Sequence, residues 1–426
     1  MTVPSAAPDR TVATEAARHS SLDYSSARRA ISLAFTLQGF VIGSWALHVP
    51  FLIERLGITK SAMGLVIVMF GLGSVAAMAL LAVVLPRTGS RLPAGIASAL
   101  TSFFVLALAL TPTYTATLVI APVLSAVVGI ASVALNAQGV ECERQVGRTF
   151  MSSFHGFWSM GILIGSILGG FVADWIGPTP HAWMVVAVGL SATALAWPGL
   201  LDDRGAGAEA GAKADGASAE AGTETKKGFV LPRAPAVWIL GLIVLFAFSL
   251  DGAAIDWSAL LMVGSIGAPV WLSGWPLAAL QGVMMVMRFL GDAIRKRVGP
   301  VPLLRWGGVL AAAGFALAGI AALDALAPLG TPVRSLIAVA GFALAGLGVA
   351  NIVPVGLSLA GRVRGTDPGT ALAIVSAHGH LGILFMPASI GWAGQQFGFG
   401  ATFVGLAALP LGIALLAGVG RMVRQS

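Results

Sequence analysis

The chain has 426 residues, of which 57% are hydrophobic and only 10% charged, with a formal net charge of +7. Soluble domains carry about a quarter charged residues, so this composition excludes a soluble enzyme and points to an integral membrane protein. Cys142 is the only cysteine, which excludes an intrachain disulfide and a cysteine-based metal centre.

Residues 1–28 are polar and hold no apolar core before Ile31. They do not read as a signal peptide and are expected to form a disordered cytoplasmic tail. Six apolar segments follow at 29–53, 61–85, 92–111, 115–139, 150–173 and 182–201. Each is long enough for a transmembrane helix, which takes about 20 residues, and too long for a barrel strand. Residues 202–233 are rich in Ala, Gly, Glu and Lys and read as a cytoplasmic linker. Six more apolar segments then run at 234–261, 270–290, 301–322, 334–359, 370–394 and 399–420, before a short tail at 421–426. The predicted fold is all-α, with twelve transmembrane helices in two six-helix bundles, 29–201 and 234–420.

With both termini in the cytoplasm, only Arg55, Lys60 and Arg334 among the Lys and Arg residues fall on the outer side. The positive-inside rule therefore places both termini in the cytoplasm. The excess positive charge then faces anionic lipid and is no sign of nucleic-acid binding.

The halves match one another. Gln38-Gly39 in the first helix corresponds to Asp251-Gly252 in the seventh, and Trp45 to Trp257 within one residue. Asn136 and Asn351 mark the fourth and tenth helices, and Ser-x-His-Gly opens the fifth (153–156) and eleventh (376–379). Such a series in one order supports a duplicated six-helix unit.

On these residues the chain resembles the major facilitator superfamily (MFS) over nearly its whole length. The turn Gly291-Asp292-Ala293-Ile294-Arg295-Lys296-Arg297 is similar to the superfamily's cytoplasmic loop signature, whereas Pro86-Arg87-Thr88-Gly89-Ser90-Arg91 lacks the acid. Gly39-x3-Gly43-x-Trp45 before Val49-Pro50, the Ser-x-His-Gly repeat and Asp256-Trp257 resemble the bacterial subgroup related to fucose permeases. The resemblance implies a secondary transporter of the inner membrane, with one cavity between rocking halves. It implies no cofactor, no metal and no enzymatic activity, and partners limited to a small solute, protons and the bilayer. A monomer is expected.

Polar residues inside spans need each other, water or a ligand. Asp251 is the foremost candidate for proton coupling, with Asp256, His155 and His378 behind it. Asp251 could instead only stabilise its helix, Asp256 could face water at the periplasmic mouth, and the two histidines serve packing as readily as gating. Gln38, Asn136, Gln281 and Asn351 could bind hydroxyls, and Trp45 and Trp257 could stack on a ring-shaped solute. Interhelical hydrogen bonding would occupy such amides equally well. His48, Gln138 and His380 are further polar span residues. Arg87, Arg91, Arg288, Asp292 and Arg295 are expected at the cytoplasmic gate, Arg288 pairing with Asp292 four residues on. No Lys or Arg is then left for the cavity, which should favour neutral or cationic solutes.

Gly161-x3-Gly165-Ser166-x2-Gly169-Gly170 resembles the antiporter motif of drug exporters, with Ser166 in place of its proline. Close helix packing through small residues explains it better. The leading expectation is proton-linked transport of a sugar-like solute. A drug or metabolite exporter is the alternative, and a transport-dead sensor on the same scaffold the third reading.

Overall fold

The computed structural model describes residues 10–204 and 232–425; the side chains of 10–24, 82, 86, 291–293, 295, 296, 424 and 425 lie outside the description. The expected linker thus falls largely outside the described residues, as do the side chains of Asp292 and Arg295. No strand occurs among the described residues.

The first half contains α1 (Arg10–Leu56), α2 (Lys60–Thr88), α3 (Arg91–Thr101), α4 (Phe104–Ala109), α5 (Tyr114–Val146), α6 (Met151–Ile176) and α7 (Pro178–Ala196). The second contains α8 (Pro235–Leu260), α9 (Trp275–Val298), α10 (Pro300–Ala321), α11 (Gly330–Val349), α12 (Ile352–Ala360), α13 (Pro368–Leu406), α14 (Ala408–Leu416) and α15 (Val419–Gln425). One correction concerns the N-terminus: the helix begins at Arg10, within the segment expected to be disordered. Ala13, Glu15, Ala16, Ala17 and Arg18 are good helix formers, so α1 extends beyond its apolar part.

Eleven stretches among the described residues are long and apolar enough to span a bilayer. The last of them, Pro368–Val423, holds two traverses. Gly398 breaks it at φ 78° and ψ 157°, a conformation open to glycine but not to residues with a Cβ. The following segment turns back against α10, where Gly319 lies against the backbone of Gly400 and Val404. Twelve traverses result among the described residues. Spans three and ten are each made of two helices, α3–α4 and α11–α12. We call the side carrying the start of α1 and residues 202–204 and 232–234 the linker end, and the opposite side the far end.

Within each half the Ser-x-His-Gly helix packs on the first helix of that half. A Cβ on Gly39 would overlap the Trp158 carbonyl oxygen, and one on Gly161 would overlap that of Thr36. Gly43 and Gly165 meet the carbonyls of Ile162 and Phe40 in the same way. Gly161 and Gly165 of the exporter-like motif are therefore spent on bringing α6 against α1, with backbones too close for any larger residue. In the second half Gly382 of α13 lies against the Leu245 carbonyl of α8.

The two halves meet along two seams. One is α6 against α9. The other is α2 against α13, where Gly64 faces Pro387 and Gly71 faces Leu384. A further contact joins α1 to α8 through Trp45 and Asp256.

Candidate functional site

A hydrogen-bonded chain crosses the first seam. Arg288 of α9 donates to the Ser159 hydroxyl of α6 and, at 3.3 Å, to the His155 carbonyl. Ser159 donates to Gln281 Oε1 at 2.9 Å, and Gln281 Nε2 donates to Asp251 Oδ1 of α8 at 2.9 Å. Ser159 and Gln281 are fully buried, both at 0% exposure. Every donor in the series points from the guanidinium towards the carboxylate. Such aligned bonds polarise one another. Asp251 remains partly accessible beside this buried chain.

Arg288 makes contacts beyond those expected of a gate residue. The sequence places it near the linker end of α9, as a gate residue beside Asp292. Its side chain turns inward, across the Trp158 ring at 5.8 Å, while the Ser152 hydroxyl donates to its backbone carbonyl at 2.8 Å. The expectation that no Lys or Arg would reach the interior is corrected by this placement. A long side chain from a helix end can extend either way, and here Ser159 and the His155 carbonyl draw it inward.

Nearer the far end, the Trp45 indole donates to Asp256 Oδ1 across the halves at 3.2 Å. Trp45 is 2% exposed and edge-on to Phe70 and Phe104. Trp257 is buried against Phe399, 5.4 Å away, inside the second half. Lys60 closes the same end, donating from Nζ to the Gly394 carbonyl at 3.4 Å and from its backbone to Gln395 at 3.2 Å.

The remaining predicted residues lie apart from this chain. Gln38 is buried and donates to the Val128 carbonyl of its own half at 3.4 Å. Asn136 bonds Ser132 one turn back, at 2.8 Å, and is partly accessible. Asn351 sits at the break between α11 and α12, also partly accessible. The His155 ring stands edge-on to Phe35. His378 bonds the Ile374 carbonyl at 2.8 Å and stands edge-on to Trp238. His380 bonds Ser376 in the same helical manner. Arg87 is exposed, and Arg91 lies 6.0 Å over Trp197.

Sequence reasoning missed two residues that complete these networks. Ser159 is one; one of four serines in a glycine-rich helix, it carries no signal beyond small size. Asp203 is the other. It accepts from the Ser90 backbone and hydroxyl at 2.7 and 2.6 Å, and Gln138 joins them through Ser90 at 2.7 Å. The acid absent from the loop at 86–91 is thus supplied from the start of the linker. Its neighbour Asp202 lies outside the spans, and hydrogen bonds from Arg204 lower its carboxyl pKa to about 2. No group of three or more His, Cys, Asp or Glu residues able to hold a metal occurs among the described residues.

Comparison with known proteins gives this architecture its family. The Major Facilitator Superfamily profile matches residues 30–333, more than half of the chain. An uncharacterized MFS-type transporter of Yersinia pestis is 30% identical over 385 residues, covering 90% of this chain and 92% of that protein. Membrane protein MosC of Rhizobium meliloti is 25% identical over 90% of this chain and 88% of its own length. Among solved structures, the D-xylose-proton symporter aligns with a TM-score of 0.70 at 17% identity, over 92% of this chain and 96% of that one. The nucleoside transporter NupG aligns at 0.66 and 13% identity, over 94% of this chain and 99% of that one. These likenesses share one fold and describe membrane transporters rather than enzymes. With twelve traverses in two matching halves, seams between them and this coverage, the chain belongs to the major facilitator superfamily.

Proposed function

We propose that this transporter moves a small, sugar-like polar solute across the inner membrane by proton-linked alternating access, as a monomer with both termini in the cytoplasm. The observation that carries the reading is the chain Arg288–Ser159–Gln281–Asp251, which spans both halves and ends on a partly accessible carboxylate. Ionised Asp251 anchors the chain by accepting from Gln281. A proton taken up on Asp251 removes the negative end, weakens that charge-assisted bond and loosens the α6–α9 seam. Loss of the proton restores it. The two halves can then rock only in step with the charge on Asp251.

Asn136 and Asn351, each partly accessible, serve as solute contacts beside Asp251. Gln38, Trp45 and Trp257 are buried and support the walls, while Asp256 ties the far end through Trp45. His155 and His378 set the packing of α6 and α13. The solutes of the fold neighbours, D-xylose and nucleosides, support a polyol or ring-shaped solute. Arg288 widens the range to solutes bearing an acceptor group.

The test is Asp251→Asn in liposomes. Gradient-driven accumulation of the solute should vanish while exchange of labelled for unlabelled solute persists. Gradient-driven uptake at the parental rate would remove Asp251 from the coupling role.

A further inference from the structure

A pocket of about 270 Å³ opens at the far end of the first half, away from the seam chain. It lies between the end of α1, the end of α4 and the start of α7, with Trp45, Phe51, Leu52, Leu108 and Pro178 as apolar walls and His48 as its buried polar member. His48 Nε2 faces Nδ1 of buried His181 at 2.9 Å, the two rings nearly stacked at 25°.

The protonation of this pair follows from the atom left over. His181 Nε2 is buried with no partner. An N–H there would lack an acceptor, at a cost of about 1–3 kcal/mol. The proton therefore sits on His181 Nδ1 and is donated to His48 Nε2. Neutral His48 then carries its own proton on Nδ1, the one polar atom it can offer the pocket.

Charge at the mouth is balanced. Glu54 and Arg55 stand side by side. The Arg55 guanidinium is engaged by the end of α4, through the Leu108 carbonyl at 3.0 Å and the carbonyl and hydroxyl of Thr111. Those bonds use three of its five N–H donors. The pocket is thus mostly apolar, ring-sized, balanced in charge at its mouth and equipped with one buried donor.

We infer that this pocket is a second ligand site, taking a small neutral aromatic molecule with one hydrogen-bond acceptor, and that its occupant acts on the halves through Trp45. The same indole that forms the pocket wall donates to Asp256 of the second half. A ring packed on Trp45 holds the indole in the position that makes this bond. The occupant therefore favours the arrangement closed at the far end and slows transport without competing for the solute site.

Fluorine NMR on the purified full chain tests this, with 4-fluorophenol as probe and fluorobenzene as the analogue lacking an acceptor. Saturable binding of 4-fluorophenol is expected, about tenfold tighter than fluorobenzene, the effect of one hydrogen bond. Two pocket-filling variants, Ala109→Phe and Thr179→Trp, should each weaken it at least about tenfold. If one of them fails to fold, the other decides. Non-saturable partitioning, equal affinity for the two probes, or undiminished binding in a folded filled variant would overturn the proposal.

Discussion

The two seams between the halves are related by the internal repeat, yet they are built from opposite materials. On the α6–α9 seam a cation, a hydroxyl and an amide lead to a carboxylate. On the α2–α13 seam glycines lie against backbone: a Cβ on Gly64 would stand 2.8 Å from the Pro387 carbonyl, and one on Gly391 2.6 Å from that of Lys60. The first seam depends on side chains being present and the second on their being absent. A rocking transporter needs both kinds. One contact changes with protonation, and the other is close glycine packing, with Lys60 bonding Gly394 and Gln395 at its far end.

The comparison is broken most directly at Arg288. Arg288→Ala leaves Ser159, Gln281 and Asp251 without their positive end. Removing one partner from a buried charged network costs roughly 3 kcal/mol, which is roughly a hundredfold in a transport rate. The opposite seam responds to added bulk instead. Gly64→Val should lower transport about tenfold by holding the far end apart, since the backbone it meets cannot yield. The readout is maleimide labelling of Ala253→Cys in a Cys142→Ser background, because Ala253 is buried one turn from Asp256. Faster labelling is expected with Gly64→Val than with the parent. Leu384→Val on the same seam keeps the contact apolar and should leave transport within about twofold.

An effect as large as that of Gly64→Val is expected at Gln281. Gln281→Leu preserves size but leaves the Ser159 hydroxyl without its acceptor and Asp251 without its donor, at about 1–3 kcal/mol. Transport should fall about tenfold and the pH dependence of uptake should shift, as measured by initial rates across a pH series. A flat, parental pH profile in this variant would separate Asp251 from the seam.

The sequence reveals one of these seams better than the other. Asp251 stands out because an acid in an apolar run has few structural uses, and the duplicated Ser-x-His-Gly locates α6 and α13 by order alone. Glycine runs announce close packing. What a sequence lacks is the rotation of each helix about its axis. Arg288 reads as a gate residue because its height in the membrane is clear while its direction is not. His155 and His378 look equivalent in sequence, yet only the carbonyl of His155 meets a residue of the opposite half. Asp203 is hidden for another reason: it reaches Ser90 across 113 positions, from a segment whose composition suggests only a linker.

At Trp45 the far end can be loosened without touching either seam. Trp45→Phe keeps an aromatic ring between Phe70 and Phe104 but removes the donor to Asp256. One lost hydrogen bond to a carboxylate is worth about 1.5–3 kcal/mol, here divided between the two states of the transporter. A fewfold rise in Ala253→Cys labelling is expected, with transport reduced less than in Gln281→Leu. Unchanged labelling would show that Lys60 and the α2–α13 seam hold the far end alone.

The mildest contrast lies at the linker ends of the two Ser-x-His-Gly helices. The first turn of α6 is capped from another helix, Glu143 of α5 accepting from the backbones of Phe150 and Met151. The first turn of α13 is capped by the preceding residue, Asp367 accepting from Thr370 at 2.8 Å. Those bonds from Thr370 hold the Asp367 carboxyl below its usual range. A depressed carboxylate contributes its stability above the unfolded value and loses it as pH falls through the folded one. Asp367 therefore contributes fully at neutral pH and fades only below about pH 4. Asp367→Ala should leave transport within about twofold at pH 7 and remove that acid-side loss. Glu143→Gln should cost more at neutral pH, because its carboxylate also ties α5 to the helix that carries Ser159. A thermal unfolding series from pH 3 to 7 on both variants separates the local cap from the one that supports the polar seam.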